Sequence, residues 1–422
     1  MTRQPTESDR NDVVVVGGGF VGMCCATFIQ RSGRNVTVVD RLEPGDAGAA
    51  SFGNAGSISW GSCIPIAVPG LLPKVPGWLF RRDGPLTIRW RHLPELAPWL
   101  WRFVRSGSES SVIQAAASLA MLHGPSLELH RELAANAGVA HLVRECGYLH
   151  LYSKADAERL SQLEWRLRTE HGAKLLLHDA NALGERLPQL AKRYQQAVEI
   201  CNQGFTTNPA ELLAAYARAF VADGGKIVRD DVVGFSIRDS KVEGITTQSG
   251  TVLAKDVVIA AGPWSRTLVQ QLGFDVPLNT ERGYHVTVAE SGINLQDTLM
   301  ETDAKFMATP MEMGLRFAGT VELAAVDAPP DYRRADIILR TARRMFPALN
   351  TESTTQWMGQ RPSLPDGLPV IGPAPRHQNV FLAFGHAHTG VVGSPQTGRL
   401  IASLVAGEKL NVDLSGLSAT RF

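Results

Sequence analysis

A glycine-rich turn close to the start of the chain constrains its fold more than any other feature. Four valines, Val13 to Val16, lead into Gly17, Gly19 and Gly22, which have the spacing G-x-G-x-x-G, and Asp40 ends the next run of valines. A strand, a tight turn and a helix with these glycines hold a dinucleotide, because the backbone can approach the pyrophosphate and the helix can sit close on the sheet. The pyrophosphate then meets free N–H groups at the helix N-terminus, and the acid accepts from a ribose hydroxyl. The sequence therefore predicts a dinucleotide-binding unit.

The length and composition restrict the class of protein. A chain of 422 residues exceeds one compact core, so we expect two domains. It has 42 basic and 41 acidic residues and no block of like charge, so nucleic acid is not an expected partner. The five cysteines form no C-x-x-C pair, which indicates a reducing compartment such as the cytoplasm and no metal site. Residues 1–11 lack the apolar stretch of a signal peptide.

A proline-rich apolar segment, residues 58–80, leaves two interpretations open. Its prolines forbid a membrane-spanning helix, and no run in the chain approaches the length of one. A little further on, Trp99 and Trp101 beside Arg102 suit a membrane interface. The other interpretation is a buried, proline-kinked connection packed on the second domain. We favour this second interpretation, because amphipathic stripes usually belong to the core.

The order of predicted elements indicates that the dinucleotide-binding unit is discontinuous. Asn208 and Pro209 open a helix in the middle of the chain. A hydrophobic strand over residues 252–260 closes on small residues, which let a backbone pass beside a bound nucleotide. Residues 306–321 have an antiparallel β pattern, and a last helix covers about 395–405. The unit therefore draws on the N-terminus, the middle and the C-terminus, with a second domain inserted between these parts.

Further motifs carry a resemblance to a known family. These motifs are ASFGNAGS (50–57), VIAAGPWS (258–265), RGYH (282–285), WMGQRPSLPD (357–366) and FGHAHTG (384–390). Together with the glycine-rich turn, they are similar to the FAD-dependent D-amino-acid dehydrogenases, within the wider group of D-amino-acid, glycine and sarcosine oxidases, over nearly the whole chain. The element Ser-Phe-x-Asn-Ala-Gly is typical of the dehydrogenase branch.

The resemblance implies the fold class and the cofactor. It implies an α/β fold with a discontinuous, Rossmann-like FAD-binding domain of the glutathione-reductase type and an α+β substrate domain built on an antiparallel sheet. FAD is expected to be noncovalent, because the last cysteine, Cys201, lies far from the C-terminal region where some relatives attach the flavin. An NAD-dependent dehydrogenase is the alternative for the cofactor. We assign to the FAD-binding domain residues 1–75, 200–275 and 357–422, and to the substrate domain residues 76–199 and 276–356.

The motif and the resemblance together predict the cofactor contacts. Small residues and amide donors in the loop 51–57 are suited to lie against a flat ring and to donate to phosphate or flavin nitrogen. The full set of predicted contacts is Gly17, Gly19, Phe20, Val21, Gly22, Asp40, Arg41, Ser51, Asn54, Ala55, Gly56, Ser57, Val233, Ala261, Gly262, Trp264, Gly385, His386, His388, Thr389, Gly390 and Val391.

Arg361 is the predicted substrate-binding residue. Oxidation of an amino acid at its α-carbon requires a fixed carboxylate, and a guanidinium binds a carboxylate bidentately, which sets both orientation and charge. The alternative is a structural arginine paired with Asp366. The resemblance adds Tyr284 and Arg282, which share one face of a strand by alternation, and whose strand faces the substrate in the family. One of these two residues is expected to be structural.

His386 and His388 match the region that lies beside the pyrimidine end of the flavin in the family. The N-terminus of the following helix would stabilise negative charge on the reduced flavin. Residues 389–394 depart from the family, which more usually has a bulky residue after the histidine. Neither histidine is assigned as a base, because an amino acid with a neutral amine can deliver its α-hydrogen as hydride.

The predicted reaction is the oxidation of a D-amino acid, of the D-proline or hydroxy-D-proline type, to the imino acid by hydride transfer to flavin N5. The electrons are expected to pass to a quinone or another non-oxygen acceptor. We therefore expect a cytoplasmic protein with peripheral contact at the inner face of the membrane. Two alternatives stay open: a glycine- or sarcosine-type amine oxidase that uses oxygen, and a flavin-binding subunit of a heteromeric dehydrogenase.

Overall fold

A computed structural model describes residues 11–81, 83–239 and 241–422, in which strands and helices build two sheets. The strands are β1 (Asn11–Val16), β2 (Val36–Asp40), β3 (Ser57–Ile58), β4 (Leu86–Ile88), β5 (Val143–Tyr152), β6 (Leu175–Asp179), β7 (Gln196–Thr206), β8 (Lys226–Arg229), β9 (Val232–Arg238), β10 (Lys241–Thr247), β11 (Thr251–Ile259), β12 (Asn279–Val288), β13 (Thr298–Glu301), β14 (Phe306–Met311), β15 (Gly314–Leu323), β16 (Thr354–Ser363), β17 (Val370–Pro373) and β18 (Val380–Phe384). The helices are α1 (Phe20–Arg31), α2 (Val75–Phe80), α3 (Leu93–Ser106), α4 (Glu109–His123), α5 (Ser126–Asn136), α6 (Leu163–Glu170), α7 (Ala180–Arg186), α8 (Pro209–Ala222), α9 (Ser265–Gln271), α10 (Arg333–Met345) and α11 (Gly390–Val405).

The first sheet is the dinucleotide-binding layer. Its order is β17-β18-β11-β1-β2-β8, and β1 pairs in parallel with both β2 and β11. The valines of β1 are almost fully buried because both faces of the strand are covered, as parallel strands require. Val13 and Val15 pack with α1, α8 and α11, while Val14 and Val16 pack with the β9–β10 hairpin and α9. The predicted strand–turn–helix–strand unit thus lies at the centre of a three-layer arrangement.

The second sheet has the order β16-β12-β15-β14-β13-β5-β7-β3, with β4 beside β15 and β6 beside β7. Most neighbours are antiparallel, although β13 with β5 and β15 with β4 are parallel. One face packs on α10 and α7 through a core that includes Phe317, Ile338 and Met345. The opposite face is turned toward the first sheet and bounds the large cavity described below.

Sheet membership refines the predicted division of the chain. β7 and β16 belong to the second sheet, so residues 200–206 and 357–363 go with the predicted substrate domain and not with the FAD-binding domain. These strands extend the antiparallel sheet directly from residues assigned to it, and no turn or loop marks the predicted boundary. The helix predicted at Asn208 is observed, with the Asn208 side chain accepting from the backbone N–H of Glu211 at 3.1 Å. The division into two domains itself stays a prediction.

The apolar segment that begins at residue 58, together with the tryptophans after it, agrees in part with each of the two interpretations. In α3, Leu96 and Trp99 are buried in a cluster with Ile88 and Leu323, as the buried connection requires. Trp101 of the same helix and Trp90 just before it are 59% and 63% exposed. Within the described ranges, no helix combines the length and the apolar character needed to cross a bilayer.

Candidate active site

A cavity of about 1600 Å³ lies between the two sheets and collects the predicted site residues. Of the predicted cofactor contacts, all except Gly22 and Gly56 line it. Arg361 and Tyr284 also line it, whereas Arg282 does not. Motifs that are more than 300 residues apart in the chain therefore meet around one space.

The glycine-rich turn has the geometry of a dinucleotide cradle. Gly17 has φ +113°, a conformation that side chains rarely adopt, and a Cβ there would overlap the carbonyl of Ala260. A Cβ on Gly22 would overlap the carbonyl oxygen of Gly17, so only glycine lets α1 approach β1 this closely. Gly19 precedes α1 without a side-chain cap of its own. The N–H of Phe20 donates to Ser51 Oγ at 3.4 Å, and the next N–H groups of the first turn have no partner within the helix and can meet an anion. The turn fits the pyrophosphate of FAD.

Asp40 and Arg41 line the cavity at the end of β2. The carboxylate of Asp40 accepts from the N–H of Gly18 at 2.6 Å and from the N–H of Leu42 at 2.9 Å, which fixes it at the end of β2. The guanidinium of Arg41 lies 3.6 Å from the centre of the Trp264 ring. Sequence reasoning missed further residues that line the cavity, since no motif carries them; they include Leu42, Ala49, Asp231, Val232, Thr267 and Gln271.

The loop 51–57 is held against the second sheet. The carbonyl of Gly53 accepts from His285 Nδ1 at 3.0 Å, and the carbonyl of Asn54 accepts from Arg316 Nη1 at 2.7 Å. A Cβ on Gly53 would enter the ring of Trp357, so glycine is required for this close contact. The Asn54 side chain accepts from the N–H of Gly56, which shapes the turn. The loop is therefore a rigid wall of the cavity between the two sheets.

The turn before α11 forms another wall. His386 is buried and hydrogen-bonds Thr397 Oγ1 at 2.9 Å, and burial lowers its pKa to about 3. His388 lines the cavity, where desolvation and the nearby Arg361 guanidinium lower its pKa to about 4. Both rings are neutral at pH 7. Because α11 begins at Gly390 without a side-chain cap, its N-terminus also offers free N–H groups to the cavity.

Arg361 is a cation that lines the cavity at the second sheet. It lies on β16 directly opposite Glu281 of β12, and its guanidinium covers Gly283, where a Cβ would overlap it. Its Nη1 donates to the carbonyl of Thr320 at 3.3 Å. Among the described residues no carboxylate lies within ion-pair distance of Arg361, and Asp366 pairs instead with Arg421 at 2.7 Å. The structural alternative, a pair with Asp366, is therefore wrong.

Thr320 marks a local distortion beside Arg361. It has φ +56°, which is rare for a β-branched residue, and it lies in a bulge where the register of β12 with β15 shifts. Such strained positions concentrate at functional sites. The distortion turns the Thr320 carbonyl toward the guanidinium of Arg361 and so orients it.

Arg282 does not line the cavity, which argues against the predicted substrate contact, whereas Tyr284 lines it and its contact with the substrate stays a prediction. They share a face of β12, as alternation requires, but that face packs on α10 and is opposite to the face that carries Arg361. The Tyr284 hydroxyl donates to Glu322 at 2.6 Å and accepts from the N–H of Asp331 at 2.9 Å. Arg282 is fully buried and pairs with the same glutamate at 3.2 Å. Both side chains belong to a buried network that supports the sheet.

Tyr284→Phe tests whether the Tyr284 hydroxyl has a structural role. The variant removes one of the two partners of Glu322 Oε2 and the acceptor of the Asp331 N–H, so we expect the free energy of unfolding to fall by about 1–3 kcal/mol. The KM for the amino acid should stay within about twofold of the wild type, since the hydroxyl is already bonded to Glu322 and Asp331. Chemical denaturation and steady-state kinetics measure the two quantities on one preparation. A large rise in KM with unchanged stability would show that the hydroxyl contacts the substrate after all.

The cradle and the two-sheet cavity define a class of protein, a flavin-dependent oxidoreductase. The profile of the family described as FAD dependent oxidoreductase matches residues 12–404, and the chain belongs to this family. A D-amino-acid oxidase of Bradyrhizobium diazoefficiens is 39% identical over 416 residues, covering 97% of this chain and 98% of the relative. A D-amino acid dehydrogenase of Paramagnetospirillum magneticum is 33% identical over 417 residues, covering 97% and 98%.

Solved structures share the fold. Glycine oxidase from Geobacillus kaustophilus superposes with a TM-score of 0.76 at 22% identity, over 98% of this chain and 99% of that one. L-proline dehydrogenase from P. horikoshii has a TM-score of 0.75 at 18% identity, over 98% of each chain. The predicted α/β fold class, the family resemblance and FAD as the cofactor are thus confirmed. The protein is an enzyme that oxidises amino acids with FAD.

Proposed function

We propose that this enzyme oxidises a D-amino acid whose carboxylate binds to Arg361. The observation that carries the proposal is an arginine without a carboxylate partner among the described residues, in the same cavity as the dinucleotide cradle. An unpaired guanidinium in a desolvated site attracts a carboxylate, and two parallel hydrogen bonds would orient the α-carbon. Bound FAD supplies the chemistry by accepting the α-hydrogen as hydride at N5. The product is the imino acid.

The D configuration and the substrate class rest on the relatives. Relatives that cover 97% of this chain are named D-amino-acid oxidase and D-amino acid dehydrogenase, which supports a D-amino acid here. Within this class we propose D-proline or hydroxy-D-proline. For the cofactor, we propose that the residues lining the cavity from Gly17 to Val391 hold FAD noncovalently, with Asp40 at the ribose and the loop 51–57 and the turn before α11 at the flavin.

The proposed electron acceptor is a quinone that reaches the cavity from a membrane surface. One arm of the cavity is apolar, with Ile64, Ile66, Leu79, Trp99 and Phe103 in its walls. Leu72, Trp90 and Val104 both line this arm and are 51%, 63% and 43% exposed, so they surround its opening. Arg91, Arg102 and Arg105 in the same stretch of chain are exposed, and the Arg105 guanidinium lies 4.7 Å from the Trp101 ring. Tryptophan and arginine side by side suit the inner face of a membrane.

Oxygen is the second candidate acceptor. The relative at 39% identity is named an oxidase, whereas the relative at 33% identity is named a dehydrogenase. The apolar opening favours the quinone, because oxygen needs no such passage. The two acceptors differ in their product, which is hydrogen peroxide only with oxygen.

The experiment is anaerobic reduction of the purified flavoprotein followed by reoxidation. D-proline, hydroxy-D-proline, D-alanine, their L-enantiomers, glycine and sarcosine are added in turn, and the visible flavin band is followed. We expect bleaching by D-forms alone, and reoxidation that is faster with a quinone in anionic phosphatidylglycerol vesicles than with air. Bleaching by glycine or sarcosine would move the protein to the amine oxidases, and peroxide formation at the turnover rate would identify oxygen as the acceptor. Bleaching without any transfer to dye or quinone would indicate a subunit of a larger complex.

A further inference from the structure

Glu281 is a buried acid on the same face of the second sheet as Arg361. The two residues are directly opposed on the paired strands β12 and β16, and both line the cavity. Glu281 is only 4% exposed. Side chains opposite each other on neighbouring strands have Cβ atoms about 5 Å apart, so the acid and the guanidinium are close neighbours.

The two groups nevertheless do not form an ion pair. Arg361 leans along the sheet over Gly283 and donates to Thr320, and among the described residues it has no carboxylate within ion-pair distance. Glu281 is turned the other way, and its Oε1 accepts from Ser363 Oγ at 2.7 Å. Its second oxygen has no hydrogen bond from the described part of the chain. The cavity therefore holds an unpaired cation and an unpaired acid side by side.

This arrangement matches the charges of a free α-amino acid. Such a substrate carries a carboxylate and an ammonium on neighbouring atoms. A carboxylate ligand without an amine would be repelled by Glu281, whereas a zwitterion meets an opposite charge at each end. The α-hydrogen leaves as hydride only when the nitrogen lone pair is free, so the ammonium must lose a proton first.

We propose that Glu281 binds the substrate ammonium and accepts its proton before oxidation. The step breaks one N–H bond of the ammonium and forms one O–H bond on the Glu281 carboxylate, which leaves a neutral amine and a neutral acid. The proton returns to water after the product leaves. The inference rests on the proposed function, in which Arg361 holds the carboxylate of the same molecule.

The surroundings of Glu281 suit this role. Burial raises its pKa above the ordinary value, with Arg361 acting in the opposite direction, so the group is a stronger base than an exposed glutamate. His386 and His388 on the turn before α11 line the same cavity, and both are neutral because their pKa values are lowered to about 3 and about 4. On β15 the residue paired with Glu281 is Leu323. Glu281 is thus placed to accept a proton in this part of the cavity.

Glu281→Gln tests the proposal, because glutamine keeps the volume and can still accept from Ser363. We expect kcat/KM for the fastest D-amino acid to fall on the order of 100-fold at pH 7. The loss should shrink as pH rises and free amine becomes available in solution. Binding of the matching carboxylate without the amine, propionate for D-alanine or tetrahydro-2-furoate for D-proline, should become tighter than in the wild type. Flavin absorbance titrations measure this binding without turnover.

Two control variants distinguish a proton acceptor at Glu281 from a structural acid or a histidine base. Glu312→Gln removes an acid at the turn between β14 and β15 that does not line the cavity, so both readouts should stay at wild-type values. If His388→Asn, and not Glu281→Gln, removes the pH dependence, the proton acceptor is His388 and the proposal is overturned. Equal weakening of the amino acid and of the amine-free carboxylate in Glu281→Gln would also overturn it, since it would indicate a structural role. If no amino acid reduces the wild-type flavin, the proposed function fails first and independently.

Discussion

Replacing Arg361 with alanine is expected to lower kcat/KM for the amino acid on the order of 100-fold or more, while the purified protein keeps its FAD. Two charge-assisted hydrogen bonds to the carboxylate, each contributing about 1.5–3 kcal/mol, would be lost together with the orientation of the α-carbon. Arg361 lies on β16, which pairs with β12 in the second sheet, whereas the cradle residues around Gly17 and Asp40 belong to the first sheet. We therefore expect the flavin content not to change. Steady-state kinetics and the ratio of flavin to protein absorbance measure the two effects.

Arg361→Lys is the matched variant for this prediction. Lysine keeps the positive charge but provides a point charge in place of a planar fork, so we expect activity between that of the wild type and that of Arg361→Ala. A carboxylate analogue should bind more weakly to both variants, and most weakly to the alanine variant. Unchanged kinetics in Arg361→Ala would mean that another group holds the carboxylate, and the proposed function would lose its main support.

The dinucleotide cradle could be predicted from the sequence because it requires particular residue types at a particular spacing. A positive φ at Gly17 and the close approach at Gly22 both require glycine, so the pattern G-x-G-x-x-G between a strand and a helix points to few other structures. The loop 51–57 and the turn before α11 were found through a resemblance of whole motifs. Other residues that line the cavity, such as Leu42 and Gln271, belong to no motif, so a single sequence does not identify them.

The residues of the second sheet show where sequence reasoning stops. Alternation correctly groups Arg282 with Tyr284, but it cannot say which face of β12 is turned toward the cavity. That choice depends on α10, which packs on the Tyr284 face and leaves Glu281 and Gly283 for the site. Glu281, which lines the cavity, was therefore missed, and Arg282, which does not line it, was included. A single acid within a strand has no motif, so only the paired register with Arg361 reveals it.

The largest expected effect on the fold comes from Gly22→Ala. Gly22 lies in α1, where a Cβ would overlap the carbonyl oxygen of Gly17 and contact the Cβ of Ala260. Because the obstructing atom belongs to the backbone of the cradle, it cannot move aside as a side chain would. Either α1 shifts away from β1 or the turn opens, and both changes disturb the N–H groups proposed to bind the pyrophosphate. We expect a loss of about 3 kcal/mol or more in the free energy of unfolding and protein that purifies without yellow colour.

Gly184→Ala is the control for Gly22→Ala, and we expect it to change the stability in the opposite direction. Gly184 is an exposed glycine of α7, and a Cβ there would meet nothing within 4 Å. Alanine at an open helical position stabilises by about 0.5–1 kcal/mol, so the same substitution should raise the melting temperature slightly and leave the flavin content unchanged. Thermal melts and flavin absorbance of the two variants, made side by side, separate contact with the cradle from helix propensity. The contrary outcome is a Gly22→Ala protein that stays yellow and has the melting temperature of the wild type. It would show that α1 tolerates a side chain at the turn. The cradle would then have to bind FAD in a more open form than the close approach of Gly22 to Gly17 implies.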